Sequence, residues 1–161
     1  MEFILIGQPN CGKSTIFNEV VGYKSITNNI PGSTVEYTKG NLSIENTKID
    51  IIDLPGIYSL IPSDDAEKTT VNYLLDIPDD SVIINIIDAS VLSRSLELTL
   101  QLMEFERPMI LVLNMMDEAL KKGIKIDVGK LSKKLNVPIV TTVARKGEGV
   151  SEIFEKAYTL P

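Results

Sequence analysis

The sequence predicts an α/β fold, in which helices cover a largely parallel sheet. Short runs rich in Ile, Leu and Val alternate with longer amphipathic segments along the chain, and this alternation is typical of βαβ units. Several of the short runs are apolar on successive residues, which indicates strands that are buried on both faces. The length of 161 residues fits one domain, because single cores of this size are common.

Six strands are expected, one for each apolar run. They are predicted at residues 2–7, 35–43, 48–53, 81–88, 109–114 and 138–142. One strand is expected to run antiparallel, because Asn46 and Thr47 mark a turn between the second run and the third. About five flanking helices are predicted where the apolar spacing becomes helical, at residues 13–21, 65–75, 92–105, 127–135 and 150–157,. Two segments rich in Asn, Pro, Gly and Ser are predicted as mobile loops, at residues 22–34 and 54–64,.

Charge and composition exclude several classes of protein. The formal net charge is -6, so the domain as a whole lacks the positive field that attracts nucleic acid or an anionic membrane. Net charge alone does not exclude a local basic patch. The chain has no histidine and one cysteine, which excludes Ser-His pairs, His-ligated metals and internal disulfides. No apolar stretch approaches the roughly 20 residues of a membrane-spanning helix, and a soluble, cytoplasmic segment is therefore expected.

A glycine-rich motif follows the first predicted strand and opens the first predicted helix. Its residues are Gly7, Gln8, Pro9, Asn10, Cys11, Gly12, Lys13, Ser14 and the following Thr15. They fit the pattern Gly-x-x-x-x-Gly-Lys-Ser in the context that a phosphate-binding loop requires. In such a loop backbone amides surround phosphate oxygens, Lys13 reaches the β- and γ-phosphates, and the Ser14 hydroxyl ligates magnesium.

The third predicted strand ends in a second short motif, made of Asp53, Leu54, Pro55 and Gly56. Its carboxylate is expected at the same edge of the sheet as the phosphate loop. We expect Asp53 to hold magnesium through water and Gly56 to present its amide to a γ-phosphate. The alternative is a plain Pro-Gly turn after a strand.

The fifth predicted strand ends in Asn114, Met115, Met116 and Asp117, which resembles the Asn-Lys-x-Asp box of GTPases. In that box the aspartate accepts hydrogen bonds from the ring N–H and the exocyclic amine of guanine, and adenine offers no such pair of donors. An unpaired buried acceptor costs about 1 to 3 kcal/mol, so Asp117 predicts a preference for guanine. Met115 replaces the usual lysine and is expected to cover the base with its apolar stem.

Two further segments are predicted to contact the nucleotide. The segment Thr142, Val143, Ala144 and Arg145 stands where a guanine-specific G-protein carries Ser-Ala-Lys, and the Ala144 amide is expected to face the guanine oxygen. In the first mobile loop, just before a predicted strand, the candidate residues are Gly32, Ser33 and Thr34. Thr34 is the candidate magnesium ligand, and the alternatives left open are Thr27, Ser33 and Thr38.

The residues that many small GTPases use for hydrolysis are partly missing. Ile57 stands directly after the Asp-x-x-Gly box, where a glutamine often orients the attacking water,. None of the three arginines, at positions 94, 107 and 145, lies in either mobile loop. We expect the Asn10 carbonyl to help bind a potassium ion beside the phosphates instead, the alternative being that asparagine merely tolerates a tight loop. Cys11 has no histidine partner and is expected to be a packing residue.

Together these segments resemble the FeoB-type ferrous iron transporters, whose N-terminal cytoplasmic segment is a G-protein domain. The resemblance spans nearly the whole chain and rests on residues 7–15, 29–36, 53–60, 114–119, 123–127 and 144–149. It implies the small G-protein (P-loop GTPase) fold, Asn10 as the potassium ligand, Thr34 as a magnesium ligand and Ile57 as the hydrophobic residue that replaces glutamine. Ile30 stands where many members have tryptophan, and Val143 replaces a common serine.

The resemblance implies a GTP-hydrolysing switch domain that regulates ferrous iron uptake, with Mg²⁺ as cofactor and K⁺ as activator. Catalysis is assigned to Lys13, Thr34, Gly56 and Asn10. The expected partners are GTP, GDP and the helical and membrane-spanning remainder of the transporter, at the cytoplasmic face of the cell membrane. No nucleic acid is expected, and a homo-oligomer is left open. Two alternatives remain: a stand-alone potassium-activated GTPase of ribosome assembly or tRNA modification, and a module that exchanges nucleotides with little hydrolysis.

Overall fold

A computed structural model describes residues 1–22 and 25–160. Within them the strands are β1 (Glu2–Gly7), β2 (Ile26–Asn29), β3 (Glu36–Ile44), β4 (Thr47–Asp53), β5 (Val82–Asp88), β6 (Met109–Asn114) and β7 (Ile139–Thr141). The α-helices are α1 (Lys13–Val21), α2 (Asp65–Leu75), α3 (Leu92–Met103), α4 (Met116–Lys121), α5 (Val128–Leu135) and α6 (Val150–Tyr158). Short 3-10 turns span Ala89–Val91 and Ala144–Lys146. Part of the first predicted mobile loop, residues 23 and 24, lies outside the described residues.

All seven strands form one sheet in the order β2-β3-β4-β1-β5-β6-β7. The pairs β1–β4, β1–β5, β5–β6 and β6–β7 are parallel, whereas β3 runs antiparallel to both β2 and β4. The predicted α/β class and the single antiparallel strand are therefore confirmed.

The predicted number of six strands was wrong, because β2 forms within the segment read as the first mobile loop. Its four residues, Ile-Thr-Asn-Asn, are all exposed, so it has no apolar run from which a strand could be predicted. Backbone pairing with β3, from Ile26 opposite Lys39 to Asn29 opposite Glu36, holds it at the edge of the sheet. An edge strand needs a partner on only one side, so β2 forms although its side chains are exposed.

The helix prediction missed α4, which has only six residues and follows β6 after a single connecting residue. A run of that length spans less than two helical turns, too short for an apolar period to show. The other five helices are confirmed, with ends that differ by no more than two residues. Among the described residues, no helix combines the length and the apolar character needed to cross a bilayer.

Alternate residues of the central strand β1 enter two separate cores, one on each face of the sheet. Phe3 and Leu5 pack in the core that α1 and α6 cover, and Ile4 and Ile6 pack in the core that α2, α3, α4 and α5 cover. Burial on both faces explains the continuous apolar run in the sequence. Because β1, β4, β5 and β6 are parallel, their carboxyl ends meet at one edge of the sheet, where the predicted motifs lie.

Candidate functional site

The glycine-rich motif forms the loop between β1 and α1, as predicted. Asn10 and Gly12 both adopt left-handed backbone conformations, with φ of 64° and 90°. A Cβ atom on Gly12 would lie 2.1 Å from Nδ2 of Asn114, so this position requires glycine for space as well as for backbone angle. The loop therefore curls closely around the end of β6.

Lys13 and Ser14, at the start of α1, both contact Asp53 at the end of β4. The Lys13 ammonium forms an ion pair with Oδ1 of Asp53, and the Ser14 hydroxyl donates to Oδ2 at 2.9 Å. The Lys13 and Asp53 side chains are each 9% exposed, a degree of burial at which charged groups need partners. The structure thus brings together three residues that the sequence placed at one phosphate and magnesium site.

Gly56 packs directly against the phosphate loop, and the next residue turns into the core. A Cβ atom on Gly56 would lie 2.8 Å from the backbone nitrogen of Pro9. The Ile57 amide donates to the Gly7 carbonyl at 3.0 Å, and the Ile57 side chain is fully buried in the core under α2 and α3. Position 57 is thus a packing position in this protein. Leu54 is also fully buried, and neither it nor Pro55 lines the two cavities next to the phosphate loop.

Asn114 connects the phosphate loop with the segment after β7. Its Nδ2 donates to the Cys11 carbonyl at 2.9 Å. Its Oδ1 accepts from the Thr142 hydroxyl at 2.9 Å and from the Ala144 amide at 3.0 Å. The side chain is 2% exposed, so these three bonds satisfy a polar group that would otherwise be costly to bury. Thr142 follows β7 directly; it belongs to the segment compared with Ser-Ala-Lys but was not itself predicted as a site residue.

Two cavities with shared lining residues make up the candidate cleft at this edge of the sheet. The first, of about 440 Å³, is lined by Gln8, Pro9, Asn10, Gly12, Lys13, Ser14, Thr15, Gly56 and Met115. The second, of about 260 Å³, is lined by Gly12, Thr15, Asn114, Met115, Asp117, Glu118, Val143, Ala144 and Arg145. They share Gly12, Thr15 and Met115, so one elongated ligand can occupy both. A cavity of about 480 Å³ lies elsewhere, between α1, β3 and α6, and none of the predicted site residues lines it.

The two carboxylates at the start of α4 are bridged by Arg145. Its guanidinium forms an ion pair with Asp117 and donates to Glu118 at 3.0 Å. Desolvation raises the pKa of the Asp117 carboxyl, but the hydrogen bond and positive charge of Arg145 outweigh it, so the pKa lies below its usual value. Asp117 is therefore an ionised acceptor at the rim of the second cavity. The sequence did not predict this pairing.

Gly32, Ser33 and Thr34 lie apart from the phosphate loop. They line a separate open cavity with Asp65, Ala66 and Thr69 of α2. The Ser33 hydroxyl donates to the Ile30 carbonyl and accepts from the Val35 amide, at 3.0 and 3.1 Å, which makes this stretch a local turn. Thr34 is exposed, and the described residues place none of the phosphate-loop side chains in its cavity.

Helix α3 contacts both the phosphate loop and the second predicted mobile loop, a role that the sequence did not suggest. The Gln8 side chain donates to the Arg94 carbonyl at 3.2 Å, and the Gln101 side chain accepts from the Leu60 amide at 2.6 Å. The Arg94 guanidinium lies 5.8 Å from the centre of the Tyr58 ring, within the range of a cation–π contact. An arginine from α3 thus touches a loop that contains no arginine itself.

Comparison with known proteins decides the family. A family model described as ferrous iron transport protein B matches residues 1–157. The chain belongs to this family. A FeoB-containing relative, the Fe(2+) transport protein A/Fe(2+) transporter FeoB fusion protein of Porphyromonas gingivalis, is 44% identical over 156 residues, which cover 97% of this chain and 18% of the relative. The chain spans about a fifth of the length of the curated relatives it matches.

Solved FeoB structures share the fold over almost the entire chain. The cytosolic domain of L. pneumophila FeoB superimposes with a TM-score of 0.93 at 37% identity, covering 99% of this chain and 70% of that one. An S. thermophilus NFeoB mutant bound to GDP gives a TM-score of 0.91 at 41% identity, covering 99% and 61%. The predicted resemblance to FeoB and the P-loop GTPase fold are therefore confirmed.

Proposed function

We propose that this domain binds GTP and GDP, hydrolyses GTP, and acts as a nucleotide-dependent switch for ferrous iron transport. The observation that carries the proposal is the Asn114 side chain, which joins the phosphate loop to the rim of the second cavity through Cys11 and Ala144. In this proposal the contact keeps the phosphate site and the base site next to each other in one cleft. The GDP-bound S. thermophilus relative, which has the same fold, supports this assignment.

Guanine is assigned to the second cavity. The ionised Asp117 carboxylate at its rim offers two acceptor oxygens to the ring N–H and the exocyclic amine, and Met115 covers one side of the cavity. Arg145 holds one of those oxygens, and a carboxylate can accept from more than one donor at each oxygen. A direct check is the affinity for GDP against ADP by calorimetry, and binding of both with equal affinity would contradict the assignment.

Magnesium is assigned to Ser14 and Asp53, with Thr34 as a further ligand. The hydroxyl and carboxylate oxygens lie within 2.9 Å of each other, and magnesium prefers oxygen ligands of these types. We assign the hydroxyl to direct ligation and the carboxylate to contact through water. Because Thr34 lines a different cavity, its role requires the segment from Gly32 to Thr34 to move toward the phosphate loop. Bound magnesium supplies positive charge that offsets the phosphate charge.

Potassium is assigned to Asn10. Its exposed side chain lines the phosphate cavity, and its amide oxygen is of the type that binds monovalent cations. The left-handed φ of 64° equally satisfies the alternative, in which asparagine is present because it tolerates this conformation. Ile57 is buried and cannot orient water. We assign the stabilisation of transition-state charge to Lys13, the Gly56 amide and bound cations.

A second candidate function is a binding module that exchanges nucleotides with little hydrolysis. The buried Ile57 favours it, because the position that commonly carries the catalytic glutamine points into the core. Single-turnover hydrolysis with protein in excess over GTP separates the two candidates. Cleavage of the bound GTP within minutes supports the enzyme, and persistence of intact GTP over hours supports the module.

Membership of the family supports the proposed role in transport. Its relatives include proteins named Fe(2+) transporters, and we propose that this domain works at the cytoplasmic face of the membrane as part of such a polypeptide, either alone or as a homo-oligomer. The alternative of a stand-alone GTPase in ribosome assembly or tRNA modification has no support from the family that matches. Iron uptake by cells that express the full-length protein, with and without a Lys13→Ala substitution, tests the role directly.

A further inference from the structure

The charges of the chain are distributed very unevenly. Residues 121–134 contain six of the 16 basic residues and one of the 22 acidic residues, so this stretch carries +5 while the rest of the chain carries -11. We call its six side chains the lysine face: Lys121, Lys122, Lys125, Lys130, Lys133 and Lys134. They come from the end of α4, the α4–α5 connection and α5. None of them belongs to the nucleotide cleft.

The fold turns these side chains toward solvent. All six lysines are exposed. Helix α5 packs on the core through Val128, Leu131 and Leu135, which leaves Lys130, Lys133 and Lys134 on its outer side, at the spacing of neighbours on one helical face. The helix has no fully buried residue, as expected for an element that lies on the surface.

Most of this charge is not neutralised within the domain. Among the described residues, ion pairs of the six lysines involve only Lys121, with Glu118. The Lys122 ammonium donates to the neutral Ser90 hydroxyl at 3.1 Å. The single acidic residue of the stretch, Asp127, accepts from the Lys130 backbone amide at 2.9 Å and so caps α5.

Stabilisation of the helices explains the positions of only some of the six lysines. Lysines at the carboxyl ends of α4 and α5 interact favourably with the helix dipole, but Lys125 lies in the connection and Lys130 lies in the first turn of α5, where a positive charge is unfavourable. Like charges at positions i and i+4, as in Lys130 and Lys134, also repel. The face therefore carries more positive charge than the fold itself uses.

We propose that the lysine face docks on an anionic lipid surface. Family relatives are named Fe(2+) transporters, and an ion transporter works in a bilayer. The inference rests on the function proposed above, which places this domain in such a polypeptide and close to lipid. Cytoplasmic leaflets carry anionic lipids that attract clustered lysines within about a Debye length. The same surface repels the net charge of -11 on the rest of the chain. This repulsion orients the domain with the lysine face toward the membrane.

The test is sedimentation of the 161-residue chain with vesicles. Phosphatidylcholine vesicles are compared with vesicles that also contain phosphatidylserine, at low and at high salt. The variant K130Q/K133Q/K134Q removes three charges from the lysine face, and K48Q/K68Q/K156Q removes three from other surfaces. Glutamine is chosen because its helix propensity is close to that of lysine. GDP affinity and the midpoint of thermal unfolding are measured for each chain, which separates lipid binding from nucleotide binding and from loss of fold.

We expect the wild type to sediment with phosphatidylserine vesicles at low salt and to be released by high salt. The face variant should lose roughly tenfold or more of this partitioning, and the matched variant less than about twofold, with GDP affinity unchanged in both. Equal binding to the two kinds of vesicle, or equal losses in the two variants, would overturn the proposal. Binding to a single-stranded oligonucleotide without binding to vesicles would assign the face to another polyanion and overturn it as well.

Discussion

The side chain of Asn114 donates to the backbone carbonyl of Cys11 at 2.9 Å, across 103 positions of sequence. This one buried bond ties the end of β6 to the centre of the phosphate loop. The other end of the same amide accepts from Thr142 and Ala144. The hydrogen bonds of this one side chain therefore link the proposed phosphate site to the proposed base site, and their loss should affect both.

Replacing Asn114 with alanine should destabilise the domain and weaken nucleotide binding together. The change removes three hydrogen bonds and leaves buried partners unpaired, at a cost of roughly 2–4 kcal/mol. Thr142→Val removes one of the three bonds and should cost about 1 kcal/mol. Urea unfolding and GDP calorimetry measure both effects. A Thr142→Val loss as large as that of Asn114→Ala would show that Asn114 does not form the connection.

Replacing Asp117 with asparagine should change base specificity. The amide presents a donor where guanine also presents donors, so GDP affinity should fall roughly 10- to 100-fold. Xanthosine diphosphate, which has a carbonyl in place of the exocyclic amine, should bind this variant better than GDP does. Glu118→Gln changes the neighbouring charge that Arg145 also contacts and serves as the control. A preference for GDP that is unchanged in Asp117→Asn would contradict the assignment of the base site.

Ile57→Gln should not restore a water-orienting residue. Because Ile57 is fully buried, a glutamine there must bury a polar amide or disrupt the core, which should cost about 2–4 kcal/mol. Ile61 is 77% exposed in the same loop, and Ile61→Gln should change stability by less than about 0.5 kcal/mol. Thermal unfolding and GTP turnover of the two variants test this. Faster turnover by Ile57→Gln with wild-type stability would contradict the buried placement.

The Cys11 thiol should make stability depend on pH in alkaline solution. Burial raises the pKa of the thiol from 9.0 to about 11. Between pH 9 and pH 11 the unfolded chain loses the thiol proton and the folded chain keeps it. The contribution of the protonated thiol to the free energy of unfolding is therefore complete below pH 9. It falls by about 2–3 kcal/mol as the pH rises toward 11. Cys11→Ala lacks the group and provides the reference for urea unfolding at both ends of the range. Parallel pH curves for the two chains would refute the shift.

The elements that the sequence predicted well are those in which successive residues are apolar and buried. The run from Phe3 to Ile6 serves both cores, so its strand was evident from composition alone. Strand β2 and helix α4 were missed for the opposite reason. The first is polar and exposed and depends on backbone pairing with β3, and the second is too short for a helical period to show,.

The candidate site also has one part that local motifs predicted and another part that they did not. Local motifs placed Lys13, Ser14 and Asp53 correctly at one edge, because parallel strands bring their carboxyl ends together. Contacts between segments distant in sequence could not be read from the motifs. The pairing of Arg145 with Asp117 crosses 28 positions, and the bond from Gln8 to Arg94 crosses 86. Both depend on side-chain directions that only the folded chain defines.

Steady-state GTP turnover in potassium and in sodium salts tests the proposed catalytic site most directly. Wild type, Asn10→Ala and Asn10→Gly are compared, since glycine keeps the left-handed backbone of position 10 and removes only the amide. We predict turnover roughly tenfold or more faster in potassium for the wild type and no such stimulation in either variant. Equal wild-type rates in the two salts, or full stimulation of Asn10→Gly, would contradict the potassium site.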